Sequence, residues 1–446
     1  MRQHGSVTVG KNRRGAVPVS GRTTPQTRGR TKAPLLPDRS SLRKLLKLSV
    51  VGVVTLFVSI FGGPAVSGAM FLLLPASGPS GVYVLPKDYT PLHKGGIDVA
   101  TGLYVREDED VVIDGAPPLI LRRTYLSNYR VSKQFGVGAT HNGEIYLHGD
   151  LREISLILAS GSRITFGRTS PGTFLLNAVF EHRSDHEWGG SRLGWAGIGW
   201  ALRRSDDRLL LFRGCGEGTV CSIVRSREAD GSTVYYRRDA SGRLLRMEAS
   251  AGRWIAFEYD DRNRIRRAHA STGSAVEYAY DAAGRLARVT TADGRTHRYT
   301  YTDRDQMATI EDPGQTIENR YDQNGRCIKQ SVHWPDGSEP LVYTFAYRLQ
   351  GQDVVQTDVT QSDGLWEQYT FNAKRSALSE TWGYRKAEPT RILYDRNPDT
   401  DRVSALTVTC PDRRGLPLRH TSLVRDGDYQ RIKENLVKTH CFSARE

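Results

Sequence analysis

YAYDAAGRLARVTTADGRTHRYTY, residues 278–301, decides the fold. Tyr278 and Tyr280 stand two apart, which places both rings on one face of an extended strand. Asp281 then offers a carboxylate to the amides ahead of it, and Gly284 can take a positive φ, so the chain reverses. RLARVTT returns as a second strand to a second turn at Ala292, Asp293 and Gly294. Outward from this stretch the pattern recurs as YYRRDASGRL (235–244), FEYDDRNRI (257–265), YTYTDRDQM (299–307), NRYDQNGRC (319–327), FAYRLQGQD (345–353), YTFNAKRSA (369–377) and ILYDRNPDT (392–400). Tyr259, Tyr280, Tyr301 and Tyr321 follow one another at 21, 21 and 20 residues. No such unit buries its apolar face alone, so the units are expected to stack as one antiparallel sheet of β-hairpins. The rings should form a ladder across neighbouring units. Arginine outnumbers lysine 51 to 12, and Arg285 is expected to pair with an aspartate one unit away.

Before the repeats the chain changes character three times. Residues 1–47 hold 12 basic side chains against the single acid Asp38 and show no apolar period, the composition of a disordered basic arm. From Leu48 to Pro86 there is no charged residue, and the apolar run 48–74 is long enough to cross a bilayer as a helix. Arg43, Lys44 and Lys47 at its N-terminal edge put the arm in the cytoplasm and the body beyond the membrane, periplasmic or extracellular. A signal segment cleaved near Ala69, releasing a secreted body, is the alternative. Residues 75–94 read as a linker. Residues 95–230 read as a β-rich module, with strands at LYVRED, DVVID, LILRRTYLS, EIYLHG, ISLILAS, RITFG, TFLLNAVFE and RLLLFRG. Residues 231–400 are the repeat sheet and 401–446 a tail. The net charge of +14 belongs almost wholly to the arm: residues 48–446 hold 51 bases and 48 acids. That balance excludes a nucleic-acid groove as partner.

The chain resembles the RHS or YD-repeat family, through Tyr259-Asp260, Tyr280-Asp281, Tyr321-Asp322 and Tyr394-Asp395 and through the Gly-Arg-Leu steps at 242–244 and 284–286, with a variant at 325–327. Residues 95–130 are similar to the module that precedes such repeats, at Asp98–Gly102 and Pro118–Tyr125. The resemblance implies a hollow shell of many strands, with a core segment and then a toxin or enzyme domain at its C-terminal end. This chain has about eight units, and residues 401–446 show neither; Thr140 also stands where the family has a Trp before His141. An open or partial shell is therefore expected, alone or completed by other chains. What the resemblance implies for function is a membrane-anchored or exported structural scaffold serving cell-surface, secretion or contact-dependent competition roles, as part of a toxin-encapsulating shell. The alternatives are a carbohydrate-binding surface protein and a truncated polymorphic toxin with its activity in or after residues 401–446.

Chemistry-bearing patterns are sparse. His182 and His186, four apart beside Asp185 and Glu187, lack the His-Glu-x-x-His arrangement of a zinc hydrolase. Asp260, Asp281, Asp303 and Asp322 read as turn formers rather than calcium ligands. Cys410 and His420 invite a nucleophile or deaminase reading, but a deaminase needs a Pro-Cys-x-x-Cys pair that is missing. Cys215 and Cys221 could close a small disulfide loop in an oxidising compartment. No catalytic, cofactor or metal residue is assigned. Tyr259, Asp260, Tyr280, Asp281, Gly284, Arg285, Tyr301, Tyr321, Asp322, Gly325 and Arg326 are read as structural signature residues. The expected partners are the membrane through residues 48–74, other RHS chains, secretion machinery, and cell-surface glycans on the aromatic face.

Overall fold

The computed structural model describes residues 92–442, apart from 94, 151, 160, 173, 175–176, 184–187, 215–219, 385–386, 399, 412–415 and 425–428. The basic arm and the apolar span 48–74 lie outside the described residues. Among the described residues no helix is long and apolar enough to cross a membrane.

From Tyr146 to Leu423 the chain is an antiparallel succession of strands that closes into a barrel. Closure depends on the strand Cys221–Arg227, which divides its pairing. Cys221 and Ser222 face Leu147 and Tyr146 of the strand Tyr146–Gly149, while Arg225, Ser226 and Arg227 face Tyr235, Val234 and Thr233 of the first repeat. Residues 146–227 thus form a closed ring, and the repeat sheet grows from the same strand. Alternation fills the ring: Leu147, Leu156, Phe166, Phe180, Leu193, Trp200, Phe212 and Ile223 are buried inward.

The repeat sheet obeys the same period. Ile255, Phe257, Ala268, Val276, Tyr278, Val289, Tyr299 and Ile310 are buried on one face. Each large apolar side chain removed from water in this way contributes roughly 1.5–3 kcal/mol. That face is covered by the chain itself. Residues 92–141 form a separate five-stranded sheet, Leu92–His93, Ile97–Asp98, Leu103–Ile113, Leu119–Leu126 and Ala139–His141. Its Ile97, Val99, Tyr104, Leu121, Tyr125 and Phe135 share one continuous core with the repeats. The stretch read as one module at 95–230 is therefore two objects, a lining (92–141) and a ring (146–227). LYVRED and DVVID are a single strand, bent by a bulge between Glu109 and Val111.

Past residue 400 the sheet continues. Val403–Pro411 and Pro417–Leu423 add two strands, and the helix Tyr429–Val437 packs Ile432, Leu436 and Val437 against the core. Cys441, beyond the helix, is disulfide-bonded to Cys410, with their Cα atoms 5.7 Å apart.

Candidate functional site

The geometry concentrated at the repeat signature is an interlock between units. Asp281 Oδ1 accepts the Arg285 amide at 2.9 Å, and its Oδ2 accepts Arg285 Nε at 2.7 Å. Asp260 holds the amides of Arg262 and Arg264 and Arg264 Nε in the same way, and Asp322 holds the amides of Asn324 and Arg326. Burial alone would raise the Asp260 carboxyl; the Arg264 amide and guanidinium outweigh it and hold the group below its ordinary range. The reversal needs a left-handed residue three places after the aspartate: Gly284 sits at φ 86°, and Asn263 and Asp305 take 61° and 59° at the same place.

Each turn then grips the next unit. Arg243, Arg264 and Arg285 lie over the rings of Tyr259, Tyr280 and Tyr301 at 5.2, 4.2 and 4.9 Å from the centroids. Those tyrosines reach back. Tyr259 Oη donates to the Leu244 carbonyl at 2.6 Å, Tyr280 to Ile265 at 2.6 Å, Tyr301 to Leu286 at 2.7 Å, Tyr321 to Met307 at 2.8 Å and Tyr347 to Cys327 at 2.6 Å. Burial pushes the Tyr280 and Tyr301 hydroxyls up, so they stay protonated as donors. The expected ladder of stacked rings is thus a ladder of hydroxyl rungs and arginine lids. The reason is spacing, because a Gly-Arg-Leu strand intervenes between successive tyrosine strands. Arg285 also reaches Asp305 of the following unit at 3.1 Å.

Two placements differ from the sequence pattern. Thr302, not Asp303, holds the turn of its unit, its Oγ1 accepting the amides of Arg304 and Gln306. Tyr394-Asp395 is out of register: the bulge falls between Asp395 and Arg396, so Arg396 takes the tyrosine position and donates to the Ala377 carbonyl at 2.8 Å. Arg238 does likewise at the other end, 3.5 Å from the Ile223 carbonyl. Its spacing of 21 residues from Tyr259 was the available signal.

The lining completes the interlock. At each signature turn a bulge displaces the pairing and leaves an amide off the ladder. Ile265 N donates to the Gln134 carbonyl, Met307 N to Tyr125 Oη and Cys327 N to the Gly102 carbonyl, at 2.7, 2.8 and 2.8 Å. Tyr125 Oη in turn donates a hydrogen bond to the Asp305 carbonyl. At Gly102, φ 76°, a Cβ would stand 2.7 Å from Arg326 Cβ and 3.0 Å from the Tyr347 ring, so only glycine fits between them. Arg123, 2% exposed, is held by Asp110 Oδ2 at 2.9 Å and Asp108 at 3.0 Å, and donates to Tyr299 Oη; Tyr278 Oη donates to Asp110. Arg106 forks onto Asp312, which burial would raise but His297 and Arg106 lower to about 2. Removing one member of such a buried charge set costs about 3–5 kcal/mol. Tyr280 and Tyr301, expected to offer an aromatic face, instead lie under the lining with both hydroxyls engaged.

The remaining candidates carry no chemistry of that kind. Cys410 is half of a disulfide, which removes it as a nucleophile. Cys221 is disulfide-bonded as well, and Cys215 lies outside the described residues. His182 Nδ1 is engaged by the Thr165 carbonyl at 2.6 Å; His186 lies outside the described residues. Among the described residues no group of three His, Cys, Asp or Glu is placed to hold a metal ion.

A hairpin sheet whose tyrosine, aspartate and arginine lock each unit to the next, over an N-terminal lining, defines a β-repeat protein of the YD type. Family models agree with it: residues 259–296 and 280–317 match the RHS Repeat, and residues 94–166 match a domain of unknown function, DUF6531. The chain carries RHS/YD repeats. No curated protein matches the sequence. Among solved structures it is similar to TcdB2-TccC3 (10% identity, TM-score 0.34, covering 71% of this chain and 22% of that one). It is also similar to the Photorhabdus luminescens Tc holotoxin pore (11%, 0.27, 73% and 20%) and to a porin-like protein from Bacteroides uniformis (10%, 0.17, 72% and 93%). The chain spans about a fifth of the length of the toxin chains it matches.

Proposed function

We propose that this protein is a non-enzymatic scaffold, tethered to or exported across a membrane, that serves as part of a casing in cell-surface, secretion or contact-dependent competition. The observation that carries the reading is the interlock itself. The signature residues, the chemically richest pattern in the repeats, are spent on joining unit to unit and on closing amides against residues 92–141. Two further features support it. Disulfide-bonded Cys221 and the Cys410–Cys441 pair suit an oxidising compartment. The basic arm before an uncharged apolar span is the pattern that sends a body outward.

The test is a C-terminal alkaline phosphatase fusion of the full chain, read together with thiol trapping of the untreated cells. An active reporter and thiol-reagent-resistant Cys410 and Cys441 are expected. An inactive reporter with both cysteines modified would overturn the export reading. Turnover by the purified chain in hydrolase, nuclease and deaminase assays would overturn the scaffold reading.

A further inference from the structure

The ring formed by residues 146–227 has two unlike rims. On one side lie the ends Gly149, Arg168, Trp195 and Arg213 and the strand starts that follow them; on the other lie Ile157, Glu181, Arg203 and Arg227. The second rim is charged: Asp206 and Asp207 occupy one turn, Glu228 and Asp230 another, with Arg204 and Arg208 between them. The first rim presents apolar residues at its tips. Phe174 is 77% exposed, Ile198 94%, Val220 53% and Val179 41%.

Described residues brace the Phe174 and Ile198 tips. The Arg168 guanidinium donates to the carbonyls of Ser170, Pro171 and Phe174, and Ser170 Oγ accepts the Val179 amide. Gly197, φ 87°, turns the chain directly before Ile198, and Trp195 and Trp200 sit behind that tip with ring centroids 5.6 Å apart. Exposed Arg152 and Arg213 stand on the same rim. Its described acids are engaged: Asp150 accepts the amides of Arg152 and Glu153, and Glu153 lies 3.4 Å from Arg163.

We propose that this rim docks on the lipid surface of a bilayer. Phe174, Ile198 and Val220 enter the boundary between headgroups and acyl chains, and Arg152 and Arg213 meet lipid phosphates. Apolar residues on separate projecting turns, backed by tryptophan and flanked by arginine, suit an interfacial layer that accepts isolated insertions. A protein partner needs a contiguous patch of about 800 Å² instead. The inference rests on the reading that the body is tethered at a membrane through the apolar span 48–74.

The test places the full chain on phosphatidylcholine and phosphatidylglycerol vesicles, with an environment-sensitive fluorophore on Ile198→Cys or, on the charged rim, on Ala229→Cys. Flotation reports the tether, and quenching by brominated acyl chains reports the rim. The expected result is flotation of both, quenching at position 198 alone, and loss of that quenching when Phe174→Asp is added. Flotation with no quenching at 198, or with equal quenching at 198 and 229, would overturn the rim proposal and leave the tether standing. Failure to float would overturn both. Quenching at 198 that persists after Val53→Asp and Val54→Asp disable the apolar span would support the rim without the tether.

Discussion

The early units and the late units of the same sheet are held by different means. Between Asp239 and Cys327 every rung is a tyrosine hydroxyl, and the amides of Ile265, Met307 and Cys327, beside the bulges, are met by residues 92–141. Beyond Tyr347 the position passes to Phe371, which has no hydroxyl, and to Arg396. There the inner face is tied from the other end of the chain. Lys433 of the helix reaches Glu380 Oε2 at 2.7 Å, Tyr394 Oη donates to Glu380, and Cys441 is bonded to Cys410. A repeat can relax its signature where a segment distant in sequence supplies the missing link.

The largest expected effect falls on the early units. Tyr301→Ala removes a ring from under Arg285 together with a rung, and should lower stability by about 3–5 kcal/mol in denaturant unfolding. A loss near 1 kcal/mol would show that the rungs are incidental. Cys441→Ser releases the late units instead. It should cost about 2–4 kcal/mol and accelerate hydrogen exchange in residues 403–423 while leaving 244–310 protected. Equal acceleration in both regions would erase the distinction between them. Tyr280→Phe keeps the ring and deletes one hydrogen bond, so about 1 kcal/mol is expected from the midpoint shift.

The smallest effect is a dependence on pH. Burial lowers the His141 imidazole from 6.5 to about 4, against the opposing pull of Glu144. Between those values the unfolded chain binds more protons than the folded one, so stability is lost as pH falls through that window. Asp98 works the other way. Burial raises its carboxyl from 3.8 to about 6, and stability falls as pH rises across that interval. His141→Gln should abolish the first slope alone, read as the melting temperature from pH 4 to 7; an unchanged profile would contradict the assignment.

Much of this was legible in the residues. Tyr280, Asp281, Gly284 and Arg285 act locally, within one turn or between adjacent units, and their spacing announces it. Register was harder. Tyr394-Asp395 reads as a signature, yet the rung is made two residues on, by Arg396 onto the Ala377 carbonyl. The strands of the lining were legible but not what they touch, since Gly102 meets Cys327 and Tyr125 meets Met307 across about two hundred residues without any shared period. The Cys410–Cys441 pair was hidden for a related reason: an odd number of scattered cysteines carries no pairing rule.

The central claim is that residues 92–141 complete the inner face of the repeats by closing particular amides. Hydrogen exchange of the full chain carrying Tyr125→Phe tests it most directly. The Met307 amide, which donates to the Tyr125 hydroxyl, should lose protection, while Ile265 and Cys327, bonded to the Gln134 and Gly102 carbonyls, should keep theirs. Unchanged exchange at Met307, or an equal rise at all three amides, would contradict it.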